Sequence, residues 1–323
     1  MITKPKTING IFVNQGADGF CMMNITIKER DDSVGDGEIR LFPCLEVQAS
    51  ETCIEFCKFE SIKMTSDMTK KNLEEPMTVY YTSKHDSKNV VEKFHSDCVE
   101  LCTQNTFANN TVISPHTHDN FSFSLQKNGS VFRNKINGML AVFMCKDTEV
   151  RENHITCTNQ HALFLSLPSK GIKIGNNNLE STGEHSTLMI KQQGDNPNPD
   201  EFLDSKYSNI DTEISENHFK RKRWAVEISH QVPNSDDEGD TVERTRSPIT
   251  GLSISNNLFN AQLKEYSGDI FNKKREGIAT LRNRIKNDSD KFFSNRLLPN
   301  HSPYKDFDYN EVQNKGNFQV NDN

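Results

Sequence analysis

Five residues in the second half of the sequence carry side chains that could perform acid–base chemistry together. They are Glu184, His185, Lys191, Glu227 and His230. A carboxylate with a lysine or histidine beside it can donate and accept protons for a substrate held between them. Glu227 is the leading candidate for the acid, and the alternative is a solvated carboxylate that pairs with Lys191. The choice depends on the elements that position these residues.

Two further groups of residues have types that suggest metal binding. His116 and His118 are one residue apart and would face the same way on a strand, with Asp119 next to them. Protein metal sites usually need three or more ligands, so we interpret residues 115–119 as a polar loop and expect no bound metal. The eight cysteines lie mostly in apolar, strand-like runs without a CxxC pair, so we expect reduced, buried core residues.

The composition favours an elongated chain with a thin core. Apolar residues make up 33% of the sequence, and the formal net charge is −7. A solenoid has a narrow core and polar loops, which fits this balance. No basic stripe with interleaved aromatic residues occurs, so we expect no nucleic-acid partner. No apolar stretch approaches the length of a membrane helix, and no signal peptide is visible, so we expect a soluble chain without a membrane partner, extracellular or virion-associated if it is part of a longer protein.

A six-residue pattern recurs along the sequence: apolar, any, any, Asn, any, apolar. It occupies residues 102–107, 131–136, 150–155, 174–179, 214–219 and 254–259, with a degraded copy at 280–285. Its asparagines are Asn105, Asn134, Asn153, Asn177, Asn217, Asn257 and Asn283. Residues 54–59 have the same apolar frame with Cys57 in the asparagine position. We expect each asparagine to make a sharp left-handed bend, and stacked asparagines to form a ladder of amide hydrogen bonds.

This pattern resembles the pectate-lyase-like superfamily of right-handed parallel β-helices, which includes polysaccharide lyases, glycoside hydrolases and phage tailspikes. The resemblance covers roughly residues 50–290 and implies an all-β solenoid of roughly nine or ten coils with inserted loops. We expect N-terminal coils or a cap at 1–50, the β-helix at 51–290 and a polar tail at 291–323. The insertions are expected near 62–90, 194–209 and 233–248.

The resemblance also implies that the asparagine turn joins the second and third strands of each coil. First strands are then expected near 121–126, 139–145, 161–167, 186–192 and 224–230. Alternation predicts two inward columns: Phe123, Ala141, Leu163, Leu188 and Val226, and Leu125, Phe143, Leu165, Ile190 and Ile228. It predicts two outward columns: Ser124, Val142, Phe164, Met189 and Glu227, and Gln126, Met144, Ser166, Lys191 and Ser229.

The middle of this predicted outward face is apolar, whereas charged residues gather there in catalytic relatives. An exposed apolar patch would indicate a covering loop, a partner subunit or a surface on which sugars stack. We assign substrate binding to Phe164, Met189, Ser166, Ser229 and Gln126. His154 and His218 both follow a turn asparagine, and this recurrence indicates a structural role.

Two functions follow from the resemblance. The first is a carbohydrate-active protein that binds an extended polysaccharide and, with a suitable acid–base group, cleaves it as a lyase or glycoside hydrolase. Hydrolysis needs two carboxylates about 5–9.5 Å apart, and a lyase would need a basic residue and, in some relatives, Ca²⁺. The second is a non-catalytic adhesin, tail-fibre or virion component that binds glycan or protein. A homotrimer is one arrangement that this second function implies.

Overall fold

The chain was analysed as a computed structural model. It describes residues 2–3, 10–28, 43–61, 77–83, 94, 100–114, 120–158, 160–183, 185–192, 209–221, 225–230, 250–261, 270–273, 291–297 and 318–321. Cys98, His116, His118, Asp119, Glu184 and Asn283 lie outside these ranges, as do most of the predicted insertions at 62–90, 194–209 and 233–248.

The regular elements of the described chain are short β-strands. The first ten are β1 (Ile2–Thr3), β2 (Ile11–Val13), β3 (Cys21–Met23), β4 (Thr26–Lys28), β5 (Leu45–Val47), β6 (Cys53–Glu55), β7 (Lys58–Glu60), β8 (Val79–Tyr81), β9 (Cys102–Thr103) and β10 (Thr106–Ala108). The next ten are β11 (Thr111–Ile113), β12 (Phe121–Ser124), β13 (Gln126–Lys127), β14 (Ser130–Phe132), β15 (Lys135–Asn137), β16 (Leu140–Phe143), β17 (Glu149–Arg151), β18 (His154–Cys157), β19 (Leu163–Leu167) and β20 (Lys173–Gly175). The last ten are β21 (Asn178–Ser181), β22 (Leu188–Gln192), β23 (Asn209–Ser215), β24 (His218–Arg221), β25 (Val226–His230), β26 (Thr250–Ser255), β27 (Leu258–Ala261), β28 (Ile270–Lys273), β29 (Lys291–Leu297) and β30 (Phe318–Asn321).

These strands coil into a right-handed parallel β-helix, which confirms the predicted fold. The first sheet has nine strands in the order β2-β5-β8-β12-β16-β19-β22-β25-β28, one from each of nine coils. The second and third strands of the coils join in a 19-stranded sheet, in which each strand pairs in parallel with its equivalent one coil away. The paired strand β29 continues this sheet beyond residue 290, the boundary that the sequence suggested.

The core is a column of apolar side chains stacked between coils. One inward column of the first sheet runs Leu45, Val79, Phe121, Leu140, Leu163, Leu188 and Val226, all fully buried. An aromatic cluster fills the third and fourth coils, where the rings of Phe107 and Phe121 lie 4.6 Å apart and those of Tyr81 and Phe123 lie 4.9 Å apart. Aromatic pairs at this spacing add to the free energy gained by burying their area.

A ladder of buried asparagines joins the second and third strands of successive coils. The amide nitrogen Nδ2 of Asn153 donates to Oδ1 of Asn177 at 3.0 Å and to the carbonyl oxygen of Val131 at 2.9 Å. The backbone N–H of Asn153 donates to the same Oδ1 of Asn177 at 2.9 Å. The same bonds recur from Asn134 to Asn153, from Asn177 to Asn217 and from Asn217 to Asn257. This confirms the ladder over five of the seven predicted asparagines.

The observed ladder differs from the predicted one at both ends. The position before Asn134 belongs to Asn110, whose N–H donates to Oδ1 of Asn134 at 2.9 Å, so the prediction of Asn105 was wrong. Residues 107–112 fit the six-residue pattern as well as residues 102–107 do, and the two copies overlap. Beyond Asn257, the register of Leu258 with Arg296 places Asn295 in the ladder position, within a copy of the pattern at 292–297 that the prediction missed.

The left-handed bend lies one residue before each ladder position, not on the ladder asparagine itself. Phe56, Asn109, Arg133, Glu152, Asn176, Glu216 and Asn256 have φ between 52° and 58°. The prediction that each asparagine makes the bend was therefore wrong, whereas the predicted amide ladder is present. Asparagine recurs because its amide offers both a donor and an acceptor to neighbouring coils, while the adjacent exposed residue makes the bend.

Asn105 lies at a second corner of the coil, between the first and second strands. Its Oδ1 accepts hydrogen bonds from the N–H and the hydroxyl of Thr52, at 2.8 and 2.9 Å. Its Nδ2 donates to Oε1 of Gln126 at 2.7 Å. Gln126 is fully buried and also donates to the carbonyl oxygen of Ser124, so its predicted place on the outward face was wrong. It forms β13, which pairs with β9 and not with the first sheet.

Replacing Asn177 by alanine tests the ladder. The substitution removes the bonds to Val150 and Asn217 and the acceptor used by Asn153. We expect the free energy of unfolding to fall by more than about 3 kcal/mol, because each buried polar group left unsatisfied costs about 1–3 kcal/mol. Urea denaturation measures this loss. The control Asn137→Ala, at an exposed strand position, is expected to stay within about 0.5 kcal/mol of the native chain. Equal losses in both variants would contradict the ladder's role.

Cys57 occupies the ladder position of the second coil and offers the opposite test. Its N–H donates to Oδ1 of Asn110, and its sulfur lies 3.6 Å from the carbonyl oxygen of Met22, where a ladder asparagine would donate. We expect Cys57→Asn to extend the ladder and stabilise the chain by about 0.5–1.5 kcal/mol. Cys44 is also buried but lies outside the ladder, so Cys44→Asn is expected to destabilise it. Thermal unfolding monitored by circular dichroism measures the change, with a rise in Tm expected for Cys57→Asn and a fall for Cys44→Asn.

Candidate functional site

The outer face of the first sheet is where the sequence placed the candidate site. The strand register gives its two outward columns as Ser122, Ala141, Phe164, Met189 and Glu227, and Ser124, Phe143, Ser166, Lys191 and Ser229. The columns predicted from Phe164 and Ser166 onward were therefore correct.

The predicted columns were wrong for the two preceding coils, which contain β12 and β16. Leu140 and Val142 face inward, while Ala141 and Phe143 occupy outward positions. Every residue of the run 139–145 is apolar, so alternation alone could not fix which set faces the core. Leu125 and Met144 follow their strands with φ of 55° and 49°, at a bend and not in a column.

The middle of the outer face is largely buried. Ser122 is 3% exposed, Ala141 1% and Met189 9%, and Ser124 and Ser166 are also buried. The hydroxyls of Ser122 and Ser124 hydrogen-bond each other at 2.5 Å. Phe164 is half-buried and packs against the core. The substrate-binding residues predicted from this face, Phe164 apart, thus offer a ligand little surface where their side chains are described.

An apolar cluster covers the edge of this face where the first strands end. Phe94 is 1% exposed and packs with Leu125 and Met144, with Leu101 and Phe143 against them. The Lys146 ammonium lies 4.6 Å from the centre of the Phe94 ring and donates to the Phe94 carbonyl oxygen at 2.9 Å. A covering loop, a partner subunit or a sugar-stacking surface was expected for an apolar face, and Phe94 is the described residue that covers this edge.

The predicted acid–base residues are only partly brought together. Glu227 lies opposite Met189 and Lys191 lies opposite Ser229, so Glu227 and Lys191 are on neighbouring strands, two positions apart along the strand direction. An even separation puts both positions on one face of the sheet. His230 is three residues after Glu227, and alternation assigns it to the opposite face. Glu184 is outside the described residues.

His185 takes part in a different cluster, which the sequence analysis missed. Its ring centre lies 5.1 Å from that of the buried His161, just before the first strands begin. Nδ1 of His161 lies 2.8 Å from the Ser186 carbonyl oxygen and 2.9 Å from the Ser186 hydroxyl. Because a carbonyl oxygen only accepts, Nδ1 carries the proton and cannot act as a base toward that hydroxyl. The arrangement serves to fix the turn, and no spacing in the sequence signals it.

A row of polar side chains lies on the outward face of the third strands. The register stacks Thr111, Lys135, His154, Asn178 and His218 in successive coils. Asn178 Nδ2 donates to His154 Nδ1 at 2.9 Å, and Thr156 Oγ1 lies 3.5 Å from His154 Nε2. Burial and the nearby Lys220 lower the pKa of His218, although Glu180 acts in the opposite direction. His154 and His218 thus lie in one column, two coils apart, with Asn178 between them.

Of the two groups considered for metal binding, residues 115–119 lie outside the described ranges, whereas seven of the eight cysteines are described. Within the described ranges, no group of three or more histidine, cysteine, aspartate or glutamate side chains could hold a metal ion. Five of the seven described cysteines are buried: Cys44, Cys57, Cys102, Cys145 and Cys157. The prediction of burial was wrong for Cys21, which is exposed, and for Cys53, which is half-buried.

Comparisons of the chain with protein-family models, with curated proteins and with solved structures found no match. In the part of the chain that the structure describes, no helix has the length and apolar character needed to cross a membrane.

The lowered pKa of His218 predicts that acid destabilises the chain. The unfolded chain protonates this histidine at a higher pH than the folded chain does, near the usual pKa of about 6.5. We expect the stabilisation that depends on neutral His218 to be fully present above that pH. It is expected to be lost as the pH falls through the pKa of His218 in the folded chain. Urea denaturation at about pH 7.5 and about pH 5 measures the change. His218→Asn is expected to make the free energy of unfolding less dependent on pH, and an unchanged dependence would contradict the assignment.

Proposed function

We propose that this chain is a non-catalytic β-helix that binds an extended polysaccharide along its outer surface without cleaving it. The burial of Ser122, Ser124, Ala141 and Met189 carries this proposal, because it closes the middle of the face on which catalytic relatives carry their sites. The glycan part of the proposal rests on the resemblance of the asparagine pattern to the pectate-lyase-like superfamily. A fold resemblance supports a class of ligand but not a reaction.

The polar row of the third strands is the proposed contact surface. Its members repeat at the coil spacing of a parallel sheet, about 4.8 Å, and so form a line of hydrogen-bonding groups along the solenoid axis. Lys135 is exposed, and His154, Asn178 and His218 are half-buried. Such a line suits a chain-like ligand with regularly repeated hydroxyl groups. Lys135 also favours polysaccharides that carry carboxylates.

Cleavage is the second candidate, and one observation favours it. The register places Glu227 and Lys191 on the same face of neighbouring strands. A lysine base and a carboxylate in such positions would suit removal of the proton beside a uronate carboxylate, the step that begins polysaccharide lysis. On this alternative the substrate would lie across β22 and β25, toward the β28 end of the sheet and away from the buried Ser122 and Ala141.

Affinity electrophoresis and an activity assay separate the two candidates. Native gels containing polygalacturonate, alginate or dextran measure binding by the retardation of the chain. We expect retardation by at least one polysaccharide and its loss in Lys135→Glu, because the substitution reverses the charge of the exposed lysine in the row. Lys173→Glu makes the same charge change at an exposed position on the second strands and is expected to bind normally.

The activity assay follows unsaturated products by absorbance and new reducing ends by colorimetry. We expect no product from the native chain on any of the three polysaccharides, and the same result from Glu227→Gln. If the native chain forms product and Glu227→Gln does not, the function is cleavage and not binding alone. Retardation that is equal in Lys135→Glu and Lys173→Glu would remove the third strands from the binding surface.

A further inference from the structure

Two cysteines lie side by side on the outside of the first two coils. Cys21 of β3 is opposite Cys53 of β6 in the parallel register. Their neighbours Met22 and Ile54 face the core and are buried, so alternation turns both cysteines outward. Paired parallel strands lie about 4.8 Å apart, which falls within the range of about 4.4–6.8 Å between the Cα atoms of disulfide-bonded cysteines.

The other described cysteines are in a different environment. Cys145 is buried, and its thiol donates to the Phe123 carbonyl oxygen at 3.1 Å, while that of Cys102 donates to the Thr82 carbonyl oxygen at 3.2 Å. Burial raises the pKa of Cys145 to about 12 and that of Cys102 to about 11. The thiolate is the reactive form, so these buried thiols are protected from oxidation.

We propose that Cys21 and Cys53 form a disulfide under oxidising conditions and so fasten the first coil to the second. With hydrogen peroxide as the oxidant, the exposed Cys21 thiolate attacks one peroxide oxygen and breaks the O–O bond. Cys21 becomes a sulfenic acid, and the departing hydroxide takes up a proton to form water. The Cys53 sulfur then attacks the Cys21 sulfur and forms the S–S bond as the S–O bond breaks. The Cys53 proton leaves with that oxygen as a second water, so two thiols and one peroxide yield one disulfide and two waters.

The position of the pair gives the bond a specific effect. Each coil of a solenoid contacts only its neighbours, so a covalent bond between two coils reinforces one specific interface. The third coil offers Cys53 no alternative cysteine on its other side, because Thr106 lies opposite it there. A bond between positions 21 and 53 closes a loop of 33 residues, counting both cysteines, which restricts the unfolded chain and opposes separation of the first two coils.

Peroxide treatment of the folded full-length chain tests the proposal. Intact-mass measurement is expected to show the loss of two hydrogen atoms, and peptide mapping without reductant is expected to show one cross-linked pair that contains Cys21 and Cys53. The control Cys44→Ser removes a buried thiol and is expected to leave the cross-link intact. Cys21→Ser and Cys53→Ser are each expected to abolish it. The Tm of the oxidised native chain is expected to exceed that of the reduced chain and to return after treatment with dithiothreitol.

Three results would overturn the proposal. One is a cross-link that joins a different pair, including any pair with Cys98. Another is over-oxidation of Cys21 to the sulfinic acid while Cys53 remains a free thiol. The third is a Cys21–Cys53 cross-link that forms equally well when the chain is first unfolded in urea, because the folded register would then play no part.

Discussion

The amide ladder is the interaction on which the register of the solenoid depends. Each buried asparagine donates through its side-chain amide to the asparagine of the next coil and to a backbone carbonyl oxygen of the preceding coil. A slip of one residue in either coil would break both bonds and turn apolar side chains outward. The ladder therefore fixes the register of the second and third strands that it joins in successive coils. It also determines which outward residues can meet.

Much of this arrangement could be predicted because the repeat combines two independent signals, the apolar frame and the asparagine inside it. Asn134, Asn153, Asn177, Asn217 and Asn257 were correct because each has an apolar residue three before it and two after it. Asn105 fitted the same template but serves another corner, where a buried amide is also needed. The template describes alternation and amide chemistry, and both corners satisfy it. Only the pairing of Ile54 with Phe107 distinguishes them, and that pairing is a long-range contact.

The candidate site was less predictable for a different reason. Burial of an outward position depends on segments far away in sequence, as with Phe94 against Leu125 and Met144. Periodicity assigns a residue to a face of a strand but does not say what covers that face. The inward and outward sets of the 139–145 run were also ambiguous, because every residue in it is apolar. Val142 was thereby placed on the surface although it belongs to the core.

The ladder bonds do not depend on how much chain lies between successive coils. Asn134 and Asn153 are 19 residues apart and Asn177 and Asn217 are 40 apart, yet the side-chain bonds measure 3.0 and 2.9 Å. Doubling a loop adds only about 0.6 kcal/mol of closure entropy. Loop length in this chain is therefore nearly neutral for stability, and new sequence can accumulate between coils while the scaffold stays constant. Such a scaffold can change what it presents at its surface without having to evolve a new fold.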